Sequence, residues 1–461
     1  MKFYPVILPV LAINLLLSFG CKPKETVEKF EPNVHHQKIR EIIAPFVTTN
    51  NFSGTVALSN HDSIVYLESF GKMSHEFNLK NHQDSKFYLA SVSMLFTSAA
   101  IMKLVEQGKI TLSDTLDKYL PSYKNATKIT IHDLMAERSG IPAIGKNSDV
   151  DYDIITQFTQ TPESLYTMFQ EQDLLYEPGS QYSHERSGYI VLALIIEKLS
   201  GKSFGDFLRE EIFDPLEMHG TGHSEGEHMI VENLAKGYST KDLYGIEASS
   251  QIDWSSKTGH ASIFSTSADL IKFGNAALNH QLLSQESWDK IFTDHGDRVG
   301  YGLFVTDHLG RNRVHMNGRS PGFSSFFCIY PEERVVMAIT SNLYGTVPTT
   351  MGNMILSEYF NEPYEPLRLS SKNPSQQEIA KFLGTYKFNA NFYRPNFELE
   401  VFDKDDQLYT SWGGLLPVED ENGEITRYIL RTYWSDIQFE EKNGVVEAMI
   451  YDDFRGEKLK D

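Results

Sequence analysis

The sequence predicts an α+β domain followed by a small all-β domain, and three observations carry that expectation. Apolar residues recur at helical spacing after Ser91, two almost wholly apolar segments flank a polar turn at Pro331-Glu332-Glu333, and beyond Pro374 aromatic residues alternate between polar turns. The chain has 461 residues, room for two or three domains at roughly 150 residues each. With 41% hydrophobic and 23% charged residues, its composition is that of a globular protein and excludes collagen-like, disordered and polytopic membrane classes. Forty-two Lys plus Arg against 62 Asp plus Glu leave a formal charge of -20, which repels a phosphate backbone over most of the surface and argues against nucleic acid as a partner.

At the start, Lys2 precedes an apolar stretch over 6–17 and then Ser18-Phe19-Gly20-Cys21. A stretch of about a dozen residues is short of the roughly 20 that a spanning helix needs, so 1–21 reads as a signal peptide. Gly20 before Cys21 resembles a bacterial lipoprotein signal, although Leu17 lies one place further from the cysteine than the usual pattern has it; the alternative is an ordinary secretory signal. The resemblance implies an exported protein of the cell envelope, held at the membrane by lipid on Cys21. The charged stretch 22–37, with Pro23 and Pro32, suits a tether. The other cysteine, Cys328, sits among Phe326, Phe327, Ile329 and Tyr330 as a buried strand thiol would.

A main domain is expected over 38–362. Segments 53–58 and 63–67 read as a hairpin around Asn60-His61-Asp62. After Ser91, the spacing of Leu95, Ala99, Met102 and Val105 predicts a helix that Gly108 stops, with Ser91 at its start. Further helices are expected over 188–199 and 267–278, and paired strands over 323–330 and 335–341. Pro363, Pro366 and Pro374 mark a linker over 363–376. In 377–461 the alternation of Tyr386, Phe388, Phe397, Leu399, Val401, Leu408, Tyr409, Tyr428, Ile429, Tyr433 and Phe439 predicts a small barrel or meander whose aromatic stripe is its core. Glu419-Asp420-Glu421 reads as a solvated turn. No repeat, zinc-type cluster or phosphate-cradling glycine loop is present in the sequence, so no metal or other cofactor is expected.

Phe87-Tyr88-Leu89-Ala90-Ser91-Val92-Ser93-Met94-Leu95-Phe96-Thr97, running into Glu106-Gln107-Gly108-Lys109, resembles the active-site helix of the serine β-lactamase and penicillin-binding-protein superfamily. Tyr119-Leu120-Pro121, Ser139-Gly140-Ile141-Pro142, Pro178-Gly179-Ser180, Asp214-Pro215-Leu216 and Phe264-Ser265-Thr266-Ser267-Ala268-Asp269-Leu270 follow in that family's order. The likeness spans about 52–342 and is strongest to the class C β-lactamase, DD-peptidase and esterase branch. It implies an antiparallel sheet flanked by helices, with a small β domain appended.

Three departures bear on chemistry. The family's Ser-x-x-Lys puts an amine one helical turn from the serine to activate it, and here the fourth position is Met94, whose thioether can neither take a proton nor supply charge. Lys103, nine residues on, lies ~13 Å further along the helix and cannot replace it. Where the family has Tyr-x-Asn, an ungapped count places His184 and Arg186. Where it has a cation, a small residue and glycine, alignment on Pro321-Gly322-Phe323 places Met316-Asn317-Gly318; a one-residue bulge would instead return His315 to that place.

Two readings follow. In one, Ser91 only caps its helix and the chain is a pseudoenzyme that binds a peptide, muropeptide or protein partner. In the other, His184 replaces the tyrosine as the base for Ser91 in a hydrolase of envelope esters or amides acting on a small-molecule or peptide substrate. Arg186 then holds a substrate carboxylate or offsets developing charge. The resemblance implies an oxyanion hole from the main-chain N–H groups of Ser91 and Arg319. Met94, Met316, Asn317, Gly318 and His260 are the candidate substrate-contacting residues, His260 because its loop borders the family's cleft. β-Lactam hydrolysis proper is not expected, since only Arg186 remains to hold the drug's carboxylate. Glu185 is excluded as the group that orients His184, because sequence neighbours seldom point the same way. His132, His219, His223 and His308 are isolated in sequence and carry no ligand spacing.

Overall fold

In the computed structural model the described residues are 34–144, 151–184, 186–226, 228–345, 348–370 and 372–459. Helix α1 (Val34–Thr48) leads into strands β1 (Gly54–Asn60) and β2 (Ser63–Phe70), joined by His61 and Asp62, both at positive φ as a tight hairpin turn requires. Helices α2 (Ser93–Glu106), α3 (Arg186–Ser200) and α4 (Ser267–Leu278) follow. Strands β3 (Phe304–His308), β4 (Arg311–Ser320), β5 (Phe323–Tyr330) and β6 (Val335–Ser341) come next, then helix α5 (Pro348–Tyr359). The sheet is antiparallel in the order β3-β4-β5-β6-β1-β2.

Strand β5 is buried throughout because both faces of the sheet are covered. Phe326, Cys328 and Tyr330 pack with Ile39, Ile43 and Phe46 of α1 and Ile355 of α5. Phe327 and Ile329 point the other way, into a core with Leu95 and Phe96 of α2, Ile190 of α3 and Phe273 of α4. Helix α1 begins at Val34, inside the charged stretch that reads as a tether, because its Ile39, Ile42, Ile43 and Phe46 face docks on the sheet. Cys328 is the buried strand thiol its neighbours suggest, and burial pushes its pKa up to about 12. Cys21 and the signal-like segment lie outside the described residues. No described helix is long and apolar enough to cross a membrane.

The C-terminal part closes into an eight-stranded barrel, Gly384–Phe388 through Phe454–Lys458. Its core contains Tyr386, Phe388, Leu399, Val401, Leu408 and Tyr428. Tyr409 and Ile429 depart from that core: they pack outward against the main-domain cluster with Trp434, which stacks on Phe46 at 4.6 Å. Arg431 is 1% exposed at this junction. Its guanidinium donates to Asn51 Oδ1 and to the carbonyls of Lys241, Asp242, Thr49 and Asn50, at 2.8–3.3 Å.

Candidate active site

Ser91 does not begin the α-helix. It occupies a 3-10 turn over Ala90–Val92, and the helix starts two residues later with Val92 as its cap and no side-chain cap. The serine therefore caps nothing, contrary to the structural role the pseudoenzyme reading gave it. Ala90 has φ +48, a left-handed conformation that an alanine adopts only under constraint. The constraint is visible: Leu89 N–H donates to Ile263 O at 2.8 Å and Ser325 Oγ donates to Leu89 O at 2.6 Å. This elbow turns Ser91 Oγ toward His184 Nε2, 3.5 Å away.

The other ring nitrogen, His184 Nδ1, lies 2.6 Å from Glu137 Oε2. Sequence reading missed Glu137, and the cause is local. It follows the short helix Ile131–Met135, whose end is closed by Arg138 N–H on Asp133 O and Glu137 N–H on Leu134 O. That pair of bonds requires a left-handed residue, usually glycine, and Glu137 fills the place at φ +55. The only sequence signal was a carboxylate directly before Arg138-Ser139-Gly140. Ser183 N–H donates to Glu137 O at 3.0 Å, and Tyr189 Oη donates to Met135 O at 2.9 Å, so the acid and the imidazole hang from two segments tied together by their main chains. Glu137 is 1% exposed, whereas 39% of the His184 side chain remains open to the cleft.

Strand β4 forms the wall beside Ser91. A Cβ on Gly318 would fall 2.1 Å from Leu89 O and 3.0 Å from Ser91 N, so only glycine permits this approach. Gly318 thus lies under the serine and does not line the cleft. Ser320 and Phe323 close a two-residue turn at Pro321-Gly322, with Gly322 at φ +81. Alternation along the ladder then turns the Arg319 N–H away from β5. Strand β3 pairs β4 only up to His315, so that N–H faces the open side where Ser91 sits.

The β4–β5 register runs without a bulge from Val314 to Ser320, which fixes Met316-Asn317-Gly318 in place and keeps His315 out of the cleft. The His315 ring lies against Phe304 and Phe326, and burial drives its pKa down to about 3. Met94 is likewise a correction. It is wholly buried in the main core, because the turn after Ser91 points it inward, and it touches no part of the cleft. The guanidinium of Arg319 donates to Thr432 O in the barrel at 3.0 Å and lies 4.5 Å from the Tyr344 ring.

The cleft has a volume of about 850 Å3 and is lined by Ser91, His184, Arg186, His260, Met316, Asn317 and Arg319 from the sequence-derived set. Lys257, Tyr152, Phe304 and Tyr344 line it as well, and none of these carried a signal in the sequence. The side chain of Glu185 lies outside the described residues. His132 and His308 each pair with a tyrosine hydroxyl. His223 sits against Thr258 Oγ1, and burial lowers its pKa to about 4.

Among known proteins, the chain is 25% identical over 437 residues to a penicillin-binding protein of Bacillus subtilis (strain 168), covering 88% of this chain and 94% of that one. It is 24% identical over 359 residues to the teichoic acid D-alanine hydrolase of Staphylococcus aureus, covering 74% and 86%. In fold it is similar to the octameric penicillin-binding protein homologue from Pyrococcus abyssi, with a TM-score of 0.63, 20% identity and coverage of 92% of this chain and 99% of that one. The D-amino acid amidase from Ochrobactrum anthropi SV3 gives a TM-score of 0.64 at 20% identity, covering 71% and 99%. The Beta-lactamase family profile matches residues 39–354, more than half of the chain, and the protein belongs to that family.

Proposed function

We propose that this protein is a serine hydrolase of the cell envelope that cleaves an ester or amide through an acyl-Ser91 intermediate. The observation that carries the reading is the file of three groups, Ser91 Oγ to His184 Nε2 at 3.5 Å and His184 Nδ1 to Glu137 Oε2 at 2.6 Å. Ser91 Oγ attacks the carbonyl carbon while Nε2 takes its proton, after the 3.5 Å separation shortens by about 0.5 Å on substrate binding. Glu137 holds the tautomer that leaves Nε2 basic and stabilises the imidazolium that forms. The Ser91 and Arg319 main-chain N–H groups receive the oxyanion. Return of the proton from Nε2 expels the alcohol or amine, and a water activated by the same nitrogen then releases the acid.

An imidazole with a buried carboxylate behind it does what the missing lysine would have done, which explains how Met94 can be part of the core in an active protein. The relatives named for teichoic acid D-alanine and for D-amino acid amides make D-aminoacyl esters and amides the first substrates to test. Lipidation at Cys21 completes the reading as an envelope protein.

The test is a fluorophosphonate probe followed by intact mass, together with a panel of p-nitrophenyl esters. The parent should gain one adduct, Ser91→Ala none, and His184→Ala should label more slowly. An unlabelled, inactive parent would sink the reading and leave a binding protein.

A further inference from the structure

Many lysines and arginines among the described residues sit beside a carboxylate, yet the three that line the cleft, Arg186, Lys257 and Arg319, have none as a partner there. Arg319 is engaged with Thr432 and the Tyr344 ring. Lys257 is 6% exposed, and among the described residues its Nζ has only the Tyr152 hydroxyl at 2.6 Å, with the Tyr152 ring beneath it. Burying an ammonium with only a phenol for partner is costly. His260 is 4% exposed, and among the described residues neither ring nitrogen makes a well-formed hydrogen bond, the nearest polar backbone group being that of Thr258. The charged side chains that act on it most are Lys257 and Arg186, both cationic. Burial first, and those neighbours second, hold His260 well below the ordinary histidine range, so the ring is neutral and offers one N–H and one lone pair. Asp153, the one carboxylate on the cleft wall among the described residues, stands at its exposed rim and pairs with none of them.

We propose that Lys257, Arg186 and the His260 ring form a subsite for an anionic group, a carboxylate or a phosphate, carried by the substrate near the bond that Ser91 attacks. The proposal rests on the reading of Ser91 as nucleophile. The anion accepts from Lys257 Nζ, from the Arg186 guanidinium and from one His260 N–H, which satisfies two buried groups left without adequate partners. On strand β4 Met316 and Asn317 carry no charge, and the Arg319 guanidinium is already engaged with Thr432 O and the Tyr344 ring. The subsite therefore selects anionic esters or amides over neutral ones of the same size.

The experiment uses the full-length Ser91→Ala protein, so that binding is read without turnover, with glutarate, glycerol phosphate and neutral glutaramide as calorimetric titrants. One or both anions should bind about tenfold or more tighter than glutaramide, and Lys257→Gln and Arg186→Gln should each lose about tenfold or more, while Lys257→Arg keeps most of the affinity. Arg186 is exposed, so its variant reports even if Lys257→Gln fails to fold. Glutarate alone binding assigns a carboxylate, and glycerol phosphate alone assigns a phosphate. Anions that bind no better than glutaramide, or equally well to both glutamine variants, would overturn the subsite even if the parent hydrolyses esters. Anion binding by Ser91→Ala beside an inert, unlabelled parent would uphold the subsite and remove the nucleophile instead.

Discussion

Glu137 Oε2 stands 2.6 Å from His184 Nδ1 although 47 residues separate them, and it reaches that place from a left-handed backbone that would ordinarily belong to glycine. Strain at a helix end is retained where surrounding structure over-determines it, and here four main-chain bonds of Glu137 and Arg138 do so.

Glu137→Gln should keep the fold and lower kcat/KM by about 10²- to 10⁴-fold on any ester the parent turns over, because a neutral amide neither fixes the tautomer nor stabilises the imidazolium. Steady-state kinetics alongside the circular dichroism melt would check it. A variant as active as the parent removes Glu137 from the mechanism.

Gly318→Ala places a methyl 2.1 Å from Leu89 O. The backbone of β4 must retreat from Ser91, carrying the Arg319 N–H with it. A loss of about 10²-fold in kcat, the typical cost of one misplaced oxyanion donor, is expected, with fluorophosphonate labelling slowed to a similar extent.

Stability should fall in mild acid through histidines buried in neutral form. Burial holds His315 at about 3, with Arg313 the next cause, while in the unfolded chain it titrates near 6.5. Below pH 6.5 the unfolded state therefore binds more protons, and stability declines as pH drops toward the folded value. Unfolding free energies from urea titrations at pH 7 and pH 5 should converge in His315→Leu relative to the parent, by on the order of 2 kcal/mol. An unchanged difference between the two pH values would show that His315 is not held neutral.

Arg431→Ala strips the junction of a buried guanidinium whose five bonds go to Asn51 and four backbone carbonyls. Those carbonyls lose their donor in a site with little water, and a destabilisation of about 3–5 kcal/mol is expected. Calorimetry should show the barrel and the main domain melting in separate transitions. A single, unshifted transition would contradict the junction's role.

Local periodicity carried much of the fold. Helix α4 and strands β5 and β6 fall on the residues their patterns specify, because each buries a face set by its own neighbours in sequence. Ser91, His184 and Arg186 were legible as candidates for the same reason, since short motifs keep their spacing. Glu137 was hidden because helix-end rules look for glycine at its position, and Met94 and Gly318 were misread as contacts because a motif position says nothing of which way a side chain faces.

What the amino-acid order determined by itself is the two-part fold class, several of its helices and strands, the candidate serine and the histidine 93 residues away. Only the tertiary structure decided that a buried carboxylate backs that histidine, that Lys257 and His260 gather with Arg186 in one cleft, and that the barrel reaches Arg319 through Thr432. The reason is physical: hydrogen bonding and desolvation act over a few ångströms of space, and chain closure brings together residues whose separation in sequence carries no periodic signal.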